Sequence, residues 1–354
     1  MKKKLIPTLA LAALGAVGCG PTTSGETAQI FWYQYDDAYI STVRAALEAD
    51  FDANDVAYTS YNGENDAQKQ TVQITNAISS GSSGILLVNA VNQEGQGETV
   101  SREAKNANIP VVFFNREVTD AAVNSTNYPD AAFVGTDPDE AGYMQGEILF
   151  NALAKEENGT KSLSAFDRNG DGKINYVMLR GPVGNAEADG RTTYSVQEAN
   201  RLLNEFFETT DESYFVQLGD DVDCNWDQAI AATQMANLIG SHGAANIECV
   251  IANNDMMAVG AIQSLVSAGL NQPNGNQEVL VVGVDAVEAG KNAIDAKQMY
   301  GTVQQDGAEM ARVLSVLARN KLAGKDYLDG LTGYEWDSET VHKIRIPYGA
   351  YTAK

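Results

Sequence analysis

The stretch Ile247-Glu248-Cys249-Val250-Ile251-Ala252-Asn253-Asn254-Asp255-Met256-Met257-Ala258-Val259-Gly260-Ala261-Ile262-Gln263-Ser264-Leu265 decides the fold class. Residues 247–252 form a short apolar run that predicts a strand. Three polar residues follow, and then Ala258, Ile262 and Leu265 recur at helical spacing over 257–268. The same unit repeats in both directions. Toward the N-terminus, strands are expected at 29–33, 56–61, 85–89, 111–115, 132–136, 174–180 and 214–218. Toward the C-terminus they are expected at 279–284 and 300–304. Residues 39–53 read as a helix that buries Ile40, Val43, Leu47 and Phe51. Strand followed by helix, repeated, implies parallel sheets with right-handed crossovers. In a chain of 354 residues, this favours an α/β fold of two doubly wound lobes, with a (β/α)8 barrel as the competing arrangement.

Composition narrows the function. Lys and Arg total 24 against 47 Asp and Glu, a net charge of -23. Such a surface repels phosphate backbones, so no nucleic-acid partner is expected. Three cysteines without CxxC spacing and two histidines supply neither a disulfide framework nor a His-rich metal centre. Cys224 and Cys249 are open to two readings, a pair or two buried thiols.

Lys2, Lys3 and Lys4 before the apolar run 5–18 read as a secretory signal, which is too short to span a bilayer. Ala16-Val17-Gly18-Cys19 looks like a lipobox, which makes Cys19 the lipidation site, residues 1–18 the leader and 19–28 a small, polar tether. The expected location is membrane-anchored outside the cytoplasm, with a soluble periplasmic form as the alternative.

In open parallel sheets, ligands bind beyond the carboxyl ends of the strands. The residues there are Asp36, Asp37, Asn89, Asn115, Glu187, Arg191, Trp226, Asn253 to Asp255, Asp285, Gln305 and Asp306. Carboxylates and amides bond vicinal hydroxyls, while aromatic faces cover C–H patches, so the set suits a neutral polyol. Helix capping is the other use of Asp and Asn at such positions, and it is the reading taken for Asp255 and Asp306.

Asp167-Arg168-Asn169-Gly170-Asp171-Gly172-Lys173-Ile174-Asn175 matches the first nine positions of an EF-hand loop. Position twelve is Met178 rather than Glu, so a carboxylate from elsewhere is required. In a 2-1-3 strand order Glu248 falls beside Asn175 and supplies it. A calcium ion there would lie at the sheet edge opposite the ligand and be structural.

Together these residues resemble the bacterial galactose/glucose-binding proteins, the solute receptors of sugar ABC transporters. The resemblance runs through Tyr33-Gln34-Tyr35-Asp36-Asp37, Pro110-Val111-Val112-Phe113-Phe114-Asn115, Val134-Gly135-Thr136-Asp137, the cation loop, and Arg191-Thr192-Thr193-Tyr194. It continues in Ile251-Ala252-Asn253-Asn254-Asp255, Gly283-Val284-Asp285-Ala286 and Gly301-Thr302-Val303. It implies the type I periplasmic binding protein fold, with lobes 29–110 plus 306–340 and 111–305 plus 341–354. Three hinge crossings would fall near 110–115, 305 and 339–343.

It also implies that Tyr39 and Trp226 sandwich a pyranose. Tyr33, Asp37 and Asn89 would meet it from one lobe, and Arg191, Asn254 and Asp285 from the other. Asp167, Asn169, Asp171, Lys173, Asn175 and Glu248 would hold calcium. The chain departs from the family at Tyr39 for Phe, Asn185 for His, Glu187 for Asp and Gln305 for Asn, which marks these as positions that tune the sugar. The implied partners of a monomeric chain are a monosaccharide, an ABC permease and, in some relatives, a chemoreceptor. No enzyme is expected, because Asp36 and Asp37 are adjacent and cannot flank a glycosidic bond.

Overall fold

The computed structural model describes residues 27–353; the expected leader, Cys19 and the tether up to residue 26 lie outside the described residues. The chain opens with β1 (Thr27–Trp32), α1 (Ala38–Ala53), β2 (Tyr58–Asn62), α2 (Ala67–Ser79), β3 (Ser83–Val88), α3 (Gln93–Ala107), β4 (Val111–Phe114) and β5 (Ala131–Gly135). It continues with α4 (Glu140–Leu153), β6 (Ala154–Glu157), β7 (Thr160–Leu163), β8 (Ile174–Arg180), α5 (Ala186–Phe207), β9 (Phe215–Gln217), β10 (Val222–Asp223) and α6 (Gln228–His242). The last part holds β11 (Cys249–Ala252), α7 (Asp255–Ser267), β12 (Leu280–Asp285), α8 (Glu288–Asp295), β13 (Gly301–Gln305), α9 (Gly307–Leu322), β14 (Lys343–Arg345) and β15 (Tyr348–Thr352). Thr27 and Ala28, expected in the tether, already belong to β1.

Two open sheets result, so the closed-barrel alternative falls. The first has the order β14-β5-β4-β3-β1-β2 and is parallel throughout. The second has the order β10-β8-β11-β12-β13-β15, with β9 also on β8, and only β15 runs antiparallel. β6 and β7 form a separate hairpin that the periodicity did not indicate.

Strands β3, β4, β5, β11 and β12 are buried along their whole length, as a parallel sheet covered by helices on both faces requires. Alternation within them divides the core. Phe114 packs with Trp32, Ile40 and Leu314 on one face of the first sheet, and Phe113 with Phe31, Val88 and Phe133 on the other.

The lobe boundaries differ from the expected ones. β4 pairs with β3 through Leu86–Val111, Leu87–Val112 and Val88–Phe113, and β5 extends that same sheet, so residues 111–135 belong to the first lobe. β14 lies beside β5 there as well, so the second lobe recovers the chain only at β15. The crossings are therefore between β5 and α4, between β13 and α9, and between β14 and β15. The physical reason is that Phe113 and Phe114 need apolar cover on both faces, which only the interior of the first sheet provides.

Candidate functional site

Each sheet contains the 2-1-3 strand order, which opens a crevice at the carboxyl ends of β1 and β3 and of β8 and β11. The two crevices face each other. Tyr33, Asp37, Tyr39, Ile40, Asn115 and Arg116 from the first lobe, with Asn185, Glu187, Arg191, Trp226, Asn254, Asp285 and Gln305, line a single pocket between the lobes. The pocket holds every expected binding residue except Asn89.

Helix starts place several of these groups. Asp37 caps α1 by accepting Ile40 N–H at 2.8 Å and also accepts the Tyr33 hydroxyl at 2.6 Å. The Arg116 guanidinium stacks over the Tyr33 ring, 3.7 Å from its centroid. Asn185 caps α5 through Ala188 N–H, and Asn254 caps α7 through Met257 N–H, both at 2.9 Å. Asp306 caps α9, as expected.

Arg191 and Asp285 form the charged floor. Arg191 donates to Asn253 O at 2.8 Å, to the Tyr348 hydroxyl at 3.0 Å and to Gln305 Oε1 at 3.3 Å. Its buried Nε and the Nε2 of Gln305 have no partner among the described residues. Asp285 lies 3.8 Å from Arg191 Nη1 and accepts no hydrogen bond from the described residues. Burial pushes its carboxyl well above the usual range, with Arg191 acting in the opposite sense. The Tyr39 phenol is likewise raised, first by burial and then by Asp285.

Residues of one pocket lining thus carry two donors without acceptors and an acceptor without donors. Buried groups in that condition cost roughly 1 to 3 kcal/mol each unless something fills them, and a hydroxyl that both gives and receives fits the gap.

Asn89 does something other than the resemblance implied. It is fully buried beneath the pocket, donating to Phe114 O at 3.1 Å and Asn115 Oδ1 at 3.2 Å while accepting from Tyr33 N at 3.3 Å. It ties the ends of β1, β3 and β4 together, and Asn115 presents the amide to the cleft instead.

Asp255 is not the cap of α7, since Asn254 takes that role. Its carboxylate is fully buried, accepts the Thr302 hydroxyl at 2.6 Å and Val287 N–H at 2.9 Å, and is pushed up to about 7 by burial. These bonds pin the turn in which Asp285 (φ 115°) and Ala286 (φ 54°) hold strained conformations. A side chain at Gly290 would overlap the Asp255 carboxylate, so the close approach depends on glycine there.

At the opposite edge of the second sheet, Glu248 is fully buried and lies against the 167–175 loop. It accepts from Arg168 N at 2.8 Å, Asn169 N at 3.2 Å and Asn175 N at 2.9 Å. Asp167 accepts from Gly170 N at 2.8 Å and Gly172 N at 3.0 Å, and Asp171 from Lys173 N at 2.9 Å. All the donors available to a cation are oxygens, which suits a hard ion. Among the described residues, no three His, Cys, Asp or Glu side chains converge as a metal centre. Amide and carbonyl oxygens would have to complete one. Cys224 and Cys249 are both free and buried.

Two open parallel-sheet lobes around a polar cleft define a class of two-lobed solute receptors. The periplasmic binding protein domain matches residues 28–326, and the chain belongs to that family. Its members are solute-binding receptors that work outside the cytoplasm. A D-galactose/methyl-galactoside binding periplasmic protein of Haemophilus influenzae is 31% identical over 349 residues, covering 98% of this chain and 96% of that protein. A putative rhizopine-binding protein of Rhizobium meliloti is 28% identical over 99% of this chain and 96% of its own length. The solved structure of an ABC transporter solute binding protein from Bacillus halodurans with bound myo-inositol shares the fold at a TM-score of 0.69 and 22% identity, covering 94% of this chain and 96% of that one.

Proposed function

We propose that this chain captures a neutral monosaccharide, galactose or glucose, and delivers it as a monomer to an ABC importer when the lobes close on it. The observation that carries this reading is the Asp285–Arg191–Gln305 set, in which a carboxylate without donors and two N–H groups without acceptors belong to the lining of one pocket. A hydroxylated ring satisfies both at once. Charge supports neutrality. Asp37 and Glu187 offset Arg116 and Arg191 in the pocket lining, so no surplus positive charge is left for an acidic sugar. Tyr39 and Trp226 provide the aromatic faces that pack on sugar C–H groups.

A relative 31% identical is named for D-galactose and methyl-galactoside, which supports a hexose among the small polyols that suit the pocket. Asn185, Glu187 and Gln305 then select among them. Titration calorimetry with galactose, glucose, methyl galactoside, ribose and myo-inositol should give the tightest binding for galactose or glucose. Heat from ribose or myo-inositol alone would remove the hexose assignment and leave a receptor for another small polyol on the same fold. Cys19 would carry the lipid anchor, and the permease, with or without a chemoreceptor, would read the closed form.

We also propose that the 167–175 loop with Glu248 holds calcium and stabilises the second lobe without touching the sugar. An ion that binds only the folded chain adds about 2.7 kcal/mol at a hundred times its dissociation constant. A chelator should therefore lower the wild-type melting temperature by several degrees and have no further effect on Glu248→Ala, which starts lower. A wild-type melting curve indifferent to chelator and to added calcium would reduce the loop to a turn.

A further inference from the structure

The lobes are joined directly across the rim of the cleft by four residues. Glu187, near the start of α5, accepts Glu117 N–H on one oxygen at 2.9 Å and Gln93 Nε2 on the other at 3.1 Å. Asn185 donates Nδ2 to Gln93 Oε1 at 3.0 Å while its own Oδ1 is fixed by Ala188 N–H. Gln93 and Glu117 belong to the first lobe, Asn185 and Glu187 to the second. Both Glu187 oxygens are therefore engaged by the opposite lobe, and the side chain is 5% exposed. The Gln93 amide is used at both ends, so its orientation is determined. Turning it over would set its oxygen against the Glu187 carboxylate and its NH2 against that of Asn185. Gln93 does not line the sugar pocket.

We propose that Gln93, Glu187 and Asn185 form a latch that holds the lobes closed, so that Gln93 sets how long the ligand stays without touching it. The inference rests on the reading of the chain as a receptor that closes on its ligand. Opening the cleft must break three hydrogen bonds, one of them from a backbone N–H to a carboxylate, before water can replace them. Ligand enters the open form, in which the latch is not made, so the latch acts chiefly on release; it also draws part of the ligand-free population toward the closed form, a minority share that leaves association within about twofold.

The test is Gln93→Ala, followed by stopped-flow Trp fluorescence with galactose and by small-angle scattering without ligand. Expected are a release rate about tenfold faster, an association rate within about twofold of wild type, and a larger ligand-free radius of gyration, with the melting temperature unchanged. In a double-mutant cycle, Asn185→Ala added to Gln93→Ala should cost less than the sum of the two changes. Glu187→Gln should also loosen the latch, because an amide there presents a donor to one of its two donors.

Unchanged release and unchanged ligand-free dimensions in Gln93→Ala would overturn the latch, as would strict additivity with Asn185→Ala. If the wild type binds no sugar of the panel, the sugar reading fails, while the ligand-free scattering comparison still decides the latch.

Discussion

Asp285→Asn should weaken hexose binding by about a hundredfold, close to 2.7 kcal/mol, while leaving the ligand-free protein at least as stable as wild type. The two halves of this expectation have one cause. Asp285 is buried, accepts nothing from the described residues and lies 3.8 Å from Arg191, its cationic partner. In the empty protein that is a cost. In the complex, sugar hydroxyls that donate to it favour the ionised form, in charge-assisted bonds that an amide oxygen cannot match. Asparagine also tolerates the positive φ of 115° better than most residues, so the turn should persist. Arg191 keeps Asn253 O, the Tyr348 hydroxyl and Gln305 Oε1 without it.

The sign with pH follows from the raised carboxyl. Above the unfolded carboxylate value the native state holds more protons than the unfolded one, so stability falls as pH rises through the raised folded value. Asp255, pushed up to about 7, contributes in the same direction. The decline should therefore shrink in Asp285→Asn without vanishing. Calorimetry and melting curves across pH check both halves, and affinity within threefold of wild type would take Asp285 out of the ligand site.

The parallel sheets were legible because their strands are short runs buried on both faces, and the pocket because acids and amides follow those runs at the carboxyl end. What remained hidden depends on direction or on the other lobe. Position after β3 places Asn89 at the right edge but does not say that its amide turns sideways to Phe114 and Asn115. Asp255 follows a strand just as Asn254 does, and a one-residue difference in helix start decides which side chain caps and which points inward. Arg116 carried no sequence signal beyond its neighbour Asn115, and Gln93 none at all, since its partners are 92 and 94 residues away. The first hinge crossing was placed one strand pair too early for a related reason. Phe113 and Phe114 look like the end of a lobe in the sequence, and only the pairing of β4 with β3 and β5 shows them in its interior.

Trp226→Ala should raise the hexose dissociation constant by roughly 30- to 1,000-fold, the 2 to 4 kcal/mol that buried aromatic anchors contribute, and abolish the ligand-dependent fluorescence change. The indole is half-buried without ligand, so a sugar can remove the rest of its surface from water. Trp32, by contrast, is already fully buried, and Trp336 stacks on His342, 4.6 Å between centroids, near the last crossing. Two consecutive left-handed residues, Asn225 (φ 49°) and Trp226 (φ 63°), turn the ring toward the cleft before Asp227 caps α6. The ring then lies directly on Gly181, where a Cβ would overlap its six-membered portion.

Gly181→Ala therefore tests the same stacking without touching the aromatic group. The added methyl must push the indole into the space a sugar would occupy, so affinity should fall at least tenfold while the tryptophan remains present and fluorescent. Trp226→Phe keeps a smaller face and should lose less than Trp226→Ala. A Gly181→Ala protein that binds hexose as wild type does would mean the ring has room to yield, and Trp226 would then be a wall of the pocket rather than the surface on which the sugar rests.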